Sequence, residues 1–210
     1  MSQMDWTVLL LGGSSGVGKT TLARQMGQHF GISWLQVDDF RLSLQRSLAS
    51  LQPESSIRTL DFFDIEKNPT LWQLPPECLC KAFVALGETM TASIEVVVEN
   101  HVDTIAPAVI EGESILPSLF VLPSLQSRQA AGHVQAVFLV EPEEESIFAN
   151  IVGRGRGMQH QSETALRTEA HAKWLYGQWL AEKAQHYGLP VLAPRPWPTL
   201  LERLLITCGT

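Results

Sequence analysis

The chain has 210 residues, 45% apolar and 18% charged, a globular balance rather than a disordered one, which fits one domain that buries roughly 70% of its unfolded surface. Its formal charge of -7 gives no sequence-wide attraction to nucleic acid or anionic membranes, so neither is an expected partner. Three cysteines, Cys78, Cys80 and Cys208, cannot form a paired framework and do not have zinc-ligand spacing. Half-buried or buried thiols in a reducing compartment are expected.

The N-terminus has no basic region followed by a long apolar stretch, and its first apolar run, Val8 to Leu11, is too short to be a signal peptide or a membrane span. A cytoplasmic protein is expected. Five short apolar runs follow one another: Trp6–Leu11, Ser33–Val37, Ala108–Glu111, Gln135–Val140 and Leu189–Ala193. Helical patterns separate them, which points to βαβ units and a parallel sheet.

The first helix is predicted from Lys19, with Leu22, Ala23, Met26 and Phe30 on its buried face and Gly31 as its stop. A long helix is predicted from Pro75-Pro76, with a core stripe of Leu79, Phe83, Leu86, Met90, Ile94, Val97 and His101. Pro142 followed by Glu143, Glu144 and Glu145 marks a further helix start, where acids meet the positive end of the helix dipole. Another helix is predicted from about Ser162 to Tyr187, ending at Gly188, and a last one from Pro196 or Pro198 burying Leu200, Leu201, Leu204 and Leu205. The expected organisation is a single domain over 1–210, with acceptor-side insertions near 40–74 and 112–132 and a lid near 153–161.

The segment Gly12-Gly13-Ser14-Ser15-Gly16-Val17-Gly18-Lys19-Thr20 contains the full G-x-x-x-x-G-K-[ST] pattern, with an apolar strand before it and a helix after it. Glycines at 13, 16 and 18 let backbone N–H groups approach a phosphate chain, and the helix N-terminus adds its dipole. The nucleotide contacts expected are Gly13, Ser14, Ser15, Gly16, Val17, Gly18, Lys19, Thr20 and Thr21, with Lys19 on the β- and γ-phosphates of ATP and the Thr20 hydroxyl on Mg²⁺.

Further features narrow the reaction. Asp38 and Asp39 end the second strand, where a carboxylate can take the proton of an attacking hydroxyl. A turn or helix cap is the structural alternative. Glu111, preferred over Glu113, ends the third strand and is a second candidate at the metal. Arg154 and Arg156, in Gly153-Arg154-Gly155-Arg156-Gly157, suit a lid that closes over the transferring phosphoryl group, although basic residues also commonly end helices. Arg41 and Arg46 can bind an acidic acceptor or lie on the surface. Arg195, in the Pro194-to-Trp197 loop after the last strand, is a candidate contact for the base.

The phosphate loop with Val37-Asp38-Asp39-Phe40 and Val109-Ile110-Glu111-Gly112 resembles the small-molecule kinase branch of P-loop proteins. Gly12 to Ser15 with Val37-Asp38 is similar to chloramphenicol phosphotransferase. Asp38 to Phe40 with Glu111-Gly112 is similar to the uridine and nicotinamide riboside kinases, and the loop with Asp38 and Arg41 to 2-phosphoglycerate kinase. The resemblance implies a five-stranded parallel sheet of order 2-3-1-4-5 with helices on both faces, Asp38 as general base and Glu111 at the metal. It implies transfer of the γ-phosphate of ATP to a small-molecule hydroxyl acceptor: an antibiotic, a nucleoside, a sugar acid or a phosphorylated metabolite. The competing class is an ATPase switch or sensing module. The sequence has no N-K-x-D or D-x-x-G segment of a GTPase and no L-S-G-G-Q-like transporter signature.

Overall fold

The computed structural model describes residues 4–51, 58–154 and 162–209. Five strands, β1 (Val8–Gly13), β2 (Ser33–Gln36), β3 (Ala108–Glu111), β4 (Val134–Leu139) and β5 (Val191–Leu192), form one sheet of order β2-β3-β1-β4-β5. Every pairing is parallel, as the βαβ pattern and the family resemblance implied.

Each central strand is buried on both sides, and its alternate residues feed two cores. Val8 and Leu10 of β1 enter the layer under α4 (Pro76–Asp103) and α7 (Glu163–His186). Leu9 and Leu11 enter the layer under α1 (Lys19–Phe30) and α8 (Leu200–Thr207). A third cluster, Ile147, Ile151, Leu166 and Ala170, joins α6 (Glu144–Arg154) to α7 apart from the sheet. The α6–α7 pair therefore has a small core of its own.

Strand register sets the position of the site. Leu11 of β1 pairs with Glu111, and Glu111 pairs with Gln36 of β2. The carboxyl ends of β2 and β3 are thus level with Leu11, β1 runs on to Gly13, and the segments that leave the three strands meet at one edge, the usual ligand side of an open parallel sheet.

Several boundaries differ from the sequence expectation. The segment after β2 is helical at once: α2 runs Val37–Leu51, with Asp38 and Asp39 in its first turn, where their charges oppose the helix dipole favourably. The region 112–132 likewise holds α5 (Pro123–Ala130). A short helix, α3 (Arg58–Asp61), precedes α4. The α4 stripe continues from Ile94 to Val98, with Val97 only partly buried, because the straight helix advances four residues there. His101 lies beyond it, its Nδ1 2.8 Å from the Ala106 carbonyl. Cys78 is exposed rather than buried. Burial pushes the Cys208 thiol up to about 11. Among the described residues no helix is long and apolar enough to cross a membrane.

Candidate active site

The chain leaves β1 at Gly13 and enters α1 at Lys19. Gly13, Gly16 and Gly18 all have positive φ, which turns successive N–H groups of the loop inward. At Gly18 the requirement is double. Its φ is 87°, and an added Cβ would lie 2.4 Å from the Trp197 ring. Ser14 and Val17 are fully buried beneath the loop.

A cleft of about 560 Å³ opens above it, lined by Ser15, Gly16, Gly18, Lys19, Thr20, Thr21, Gln36, Asp38, Glu111, Gly112, Glu113 and Arg154. The structure thus brings most of the residues expected from the sequence to one place. Lys19 is buried, and its Nζ donates to the Ser14 carbonyl at 2.9 Å. Burial lowers the pKa of its ammonium, and Glu111, Glu113 and Asp38 oppose that shift. The Thr20 hydroxyl donates to Glu111 Oε1 at 2.7 Å. Burial raises the pKa of Glu111, with Lys19 and the Thr20 hydrogen bond opposing it.

Among the described residues no group of three or more His, Cys, Asp or Glu could hold a metal. Mg²⁺ needs no such cage, since it commonly takes one or two protein oxygens together with phosphates and water. Thr20 and Glu111 supply that kind of hard, oxygen-only donor set. The residues fit Mg²⁺ bound with a nucleotide.

Asp38, and not Asp39, lines the cleft. Its carboxylate is largely exposed and stands 3.5 Å from Nε of the more enclosed Arg41. Arg154 belongs to the last turn of α6 rather than to an open loop, and its Nη1 donates to Ser15 Oγ at 3.3 Å. Arg156 lies outside the described residues. Arg195 is not part of the cleft lining. Its Nε donates to the buried Glu141 at 3.1 Å, and its guanidinium stands 5.9 Å from the Trp197 ring centre. It is Trp197 of the same loop that covers Gly18, and with Thr21, Gln25 and Leu200 it lines a smaller cavity of about 260 Å³.

Two loop contacts were not found by sequence reasoning. Asn150 donates to the Gly16 carbonyl at 3.1 Å. It sits four residues before Arg154, so helical spacing places both on one face of α6. Glu113, ranked behind Glu111 from the sequence, accepts the Ser15 backbone N–H at 2.6 Å.

No protein-family model matches the chain. A 2-phosphoglycerate kinase of Methanocaldococcus jannaschii is 25% identical over 190 residues, covering 88% of this chain and 57% of that protein. The chain therefore spans little more than half the length of this relative. Among solved structures, shikimate kinase from Bacteroides thetaiotaomicron aligns with a TM-score of 0.52 at 13% identity, over 97% of this chain and 99% of that one. Shikimate kinase from Aquifex aeolicus gives 0.47 at 13% identity over 96% of each chain. The first of these structures shares the five-stranded P-loop fold. The chain resembles P-loop small-molecule kinases.

Proposed function

We propose that the protein is an ATP-dependent phosphotransferase acting on the hydroxyl of a small molecule. The observation that carries this reading is the convergence of the phosphate loop, the Thr20–Glu111 pair and Asp38 on one cleft. A nucleotide sensor needs the loop, but it has no use for the largely exposed Asp38 carboxylate in the same cleft. The likeness to 2-phosphoglycerate kinase supports the same class, and an acidic hydroxy compound is a natural first acceptor to try.

ATP with Mg²⁺ supplies the phosphoryl group and neutralises part of its charge. The loop amides and Lys19 hold the phosphate chain, with Lys19 drawn from the Ser14 carbonyl towards the β- and γ-phosphates. Thr20 and Glu111 offer their oxygens to the metal and its water shell. Asp38 orients the acceptor hydroxyl for in-line approach and takes its proton. Arg154 closes the cleft from α6, stabilises developing charge and helps exclude water. Arg156 follows it in sequence and is proposed to act in the same lid. Trp197 and its loop, rather than the Arg195 guanidinium, form the wall against which the base is proposed to rest.

The test is ADP release by wild type and Asp38→Asn across a panel of hydroxy acids, nucleosides, sugars and aminoglycosides. Acceptor-dependent release in wild type only is expected. Acceptor-independent hydrolysis, equal in both proteins, would replace this reading with an ATPase switch.

A further inference from the structure

The Ser14–Ser15 peptide is held from both sides. Its carbonyl accepts from Lys19 Nζ at 2.9 Å, and its N–H donates to Glu113 Oε1 at 2.6 Å. The second contact is unusual in kind: a carboxylate occupies a backbone donor of a loop built to receive anions.

The rest of Glu113 cannot easily move with its side chain. Tyr176, fully buried in α7, donates its hydroxyl to the Glu113 carbonyl at 2.6 Å. Burial raises the phenol pKa far above the ordinary range, which keeps the Tyr176 hydroxyl a donor. The preceding Gly112 donates to Leu11 O at 3.1 Å and packs so closely on Val37 that an added Cβ would lie 2.6 Å from it. The backbone is therefore anchored on β1, α2 and α7, while the carboxylate can swing.

We propose that Glu113 determines phosphate-chain length: its carboxylate competes with the terminal phosphate of a bound triphosphate for the Ser15 N–H. The lysine of such a loop reaches the β- and γ-phosphates, and Lys19 Nζ lies on this same peptide. A terminal phosphate that takes the Ser15 N–H must displace Glu113, and a chain too short to reach that N–H leaves it seated. The carboxylate can return once the terminal phosphoryl group has left, so the shortened chain no longer competes with it. This inference rests on the phosphate-loop reading above and adds to it a residue that weakens triphosphate binding in favour of turnover.

The test measures ATP and ADP affinity by calorimetry, with Mg²⁺, for wild type, Glu113→Ala, Glu113→Gln and Asp39→Asn. The last removes an exposed negative charge on α2 that does not line the cleft, so it reports the general electrostatic effect. A hydrogen bond to a charged group contributes enough that its removal should matter about tenfold. Glu113→Ala is therefore expected to tighten ATP about tenfold more than ADP, Glu113→Gln to act in the same direction, and Asp39→Asn to change both ligands alike. In the protein without nucleotide, the Ser15 amide proton should move upfield in Glu113→Ala.

Equal changes for ATP and ADP in the Glu113 variants, or an unmoved Ser15 resonance, would overturn the inference and leave the kinase reading standing. Failure of all four proteins to bind either nucleotide would overturn the phosphate-loop reading, and this inference with it.

Discussion

The Thr20 hydroxyl donates to Glu111 at 2.7 Å, joining the first turn of α1 to the end of β3 across the mouth of the cleft. Glu111 is buried beside Lys19, yet its carboxyl is held above the ordinary glutamate pKa. Burial therefore outweighs the attraction of the lysine. A carboxyl kept in that state is suited to a partner of higher charge, such as a divalent cation.

The sign of this shift predicts a pH dependence. A folded-state pKa above the unfolded one contributes stability that is fully present below the unfolded value and is lost as pH rises through the folded value. The loss should begin near the ordinary 4.5 and finish above the raised value. Glu111→Gln removes the titrating charge, so its melting temperature should exceed that of wild type at neutral pH, and the gap should close as pH falls through that window. Turnover in the same variant should fall about 10- to 100-fold, the size of effect seen when metal-supporting groups are removed. Thermal melts across pH check the first, and Mg²⁺-dependent initial rates the second.

Arg41 is expected to matter for rate and little for folding. Its 3.5 Å pairing with Asp38 is made to a carboxylate that is 66% exposed, and such pairs contribute about 0–1 kcal/mol. Its geometric effect is larger, because it limits where the Asp38 carboxylate can point. Arg41→Ala should shift the melting temperature by only a few degrees and lower kcat about 10- to 100-fold. Arg41→Lys should recover part of the rate. A large stability loss with kcat unchanged would make Arg41 a structural residue.

Trp197 and Gly18 constrain each other. Gly18→Ala meets the indole at 2.4 Å and must also hold φ near 87°, so two separate penalties add. A strained left-handed alanine costs about 1 kcal/mol or more, and the overlap costs about 1–3 kcal/mol further. Adding Trp197→Ala to Gly18→Ala should remove the overlap and leave the strain. Urea denaturation of the two single variants and the double should show partial rescue, and full rescue would mean that the backbone angle carries no cost.

The parts of the site written locally were legible in the sequence. Gly13 to Thr20 form one contiguous turn whose residue types are dictated by close backbone approach, and Asp38 and Glu111 stand at the ends of apolar runs. Contacts made across the fold were not. Asn150 reaches Gly16 only because α6 packs on α7 and returns over the loop. Glu113 is further from the strand than Glu111 and reads as the second candidate at the metal, and nothing local shows that the turn at Gly112 directs it onto Ser15. The helix start at Val37 was legible in principle, since two acids in a first turn are a helix signal. The apolar run of β2 leads straight into it and blurs the boundary. Arg195 lay in the expected loop but faces Glu141, a partner that only the β4 end could supply.

The last prediction concerns a buried ion pair away from the phosphate loop. Lys173 and Glu169, one turn apart on α7, bond to each other with side chains only 10% and 12% exposed. The Lys173 ammonium stands 5.8 Å from the centre of the Trp72 ring. Water is largely excluded from both charges, so removing one strands the other. Glu169→Gln should cost about 3–5 kcal/mol, more than most single substitutions of surface acids. The Trp72 face can offset only part of it, since a cation over an indole gains about 2 kcal/mol when desolvated. Replacing both residues by apolar ones of similar volume, Glu169→Leu with Lys173→Met, should restore stability to within about 1 kcal/mol of wild type, because it removes the desolvation penalty together with the attraction. Equilibrium unfolding in urea separates the cases. A double variant no more stable than Glu169→Gln would show that the pair fixes the packing of α7 against Trp72 and does more than satisfy its own charges.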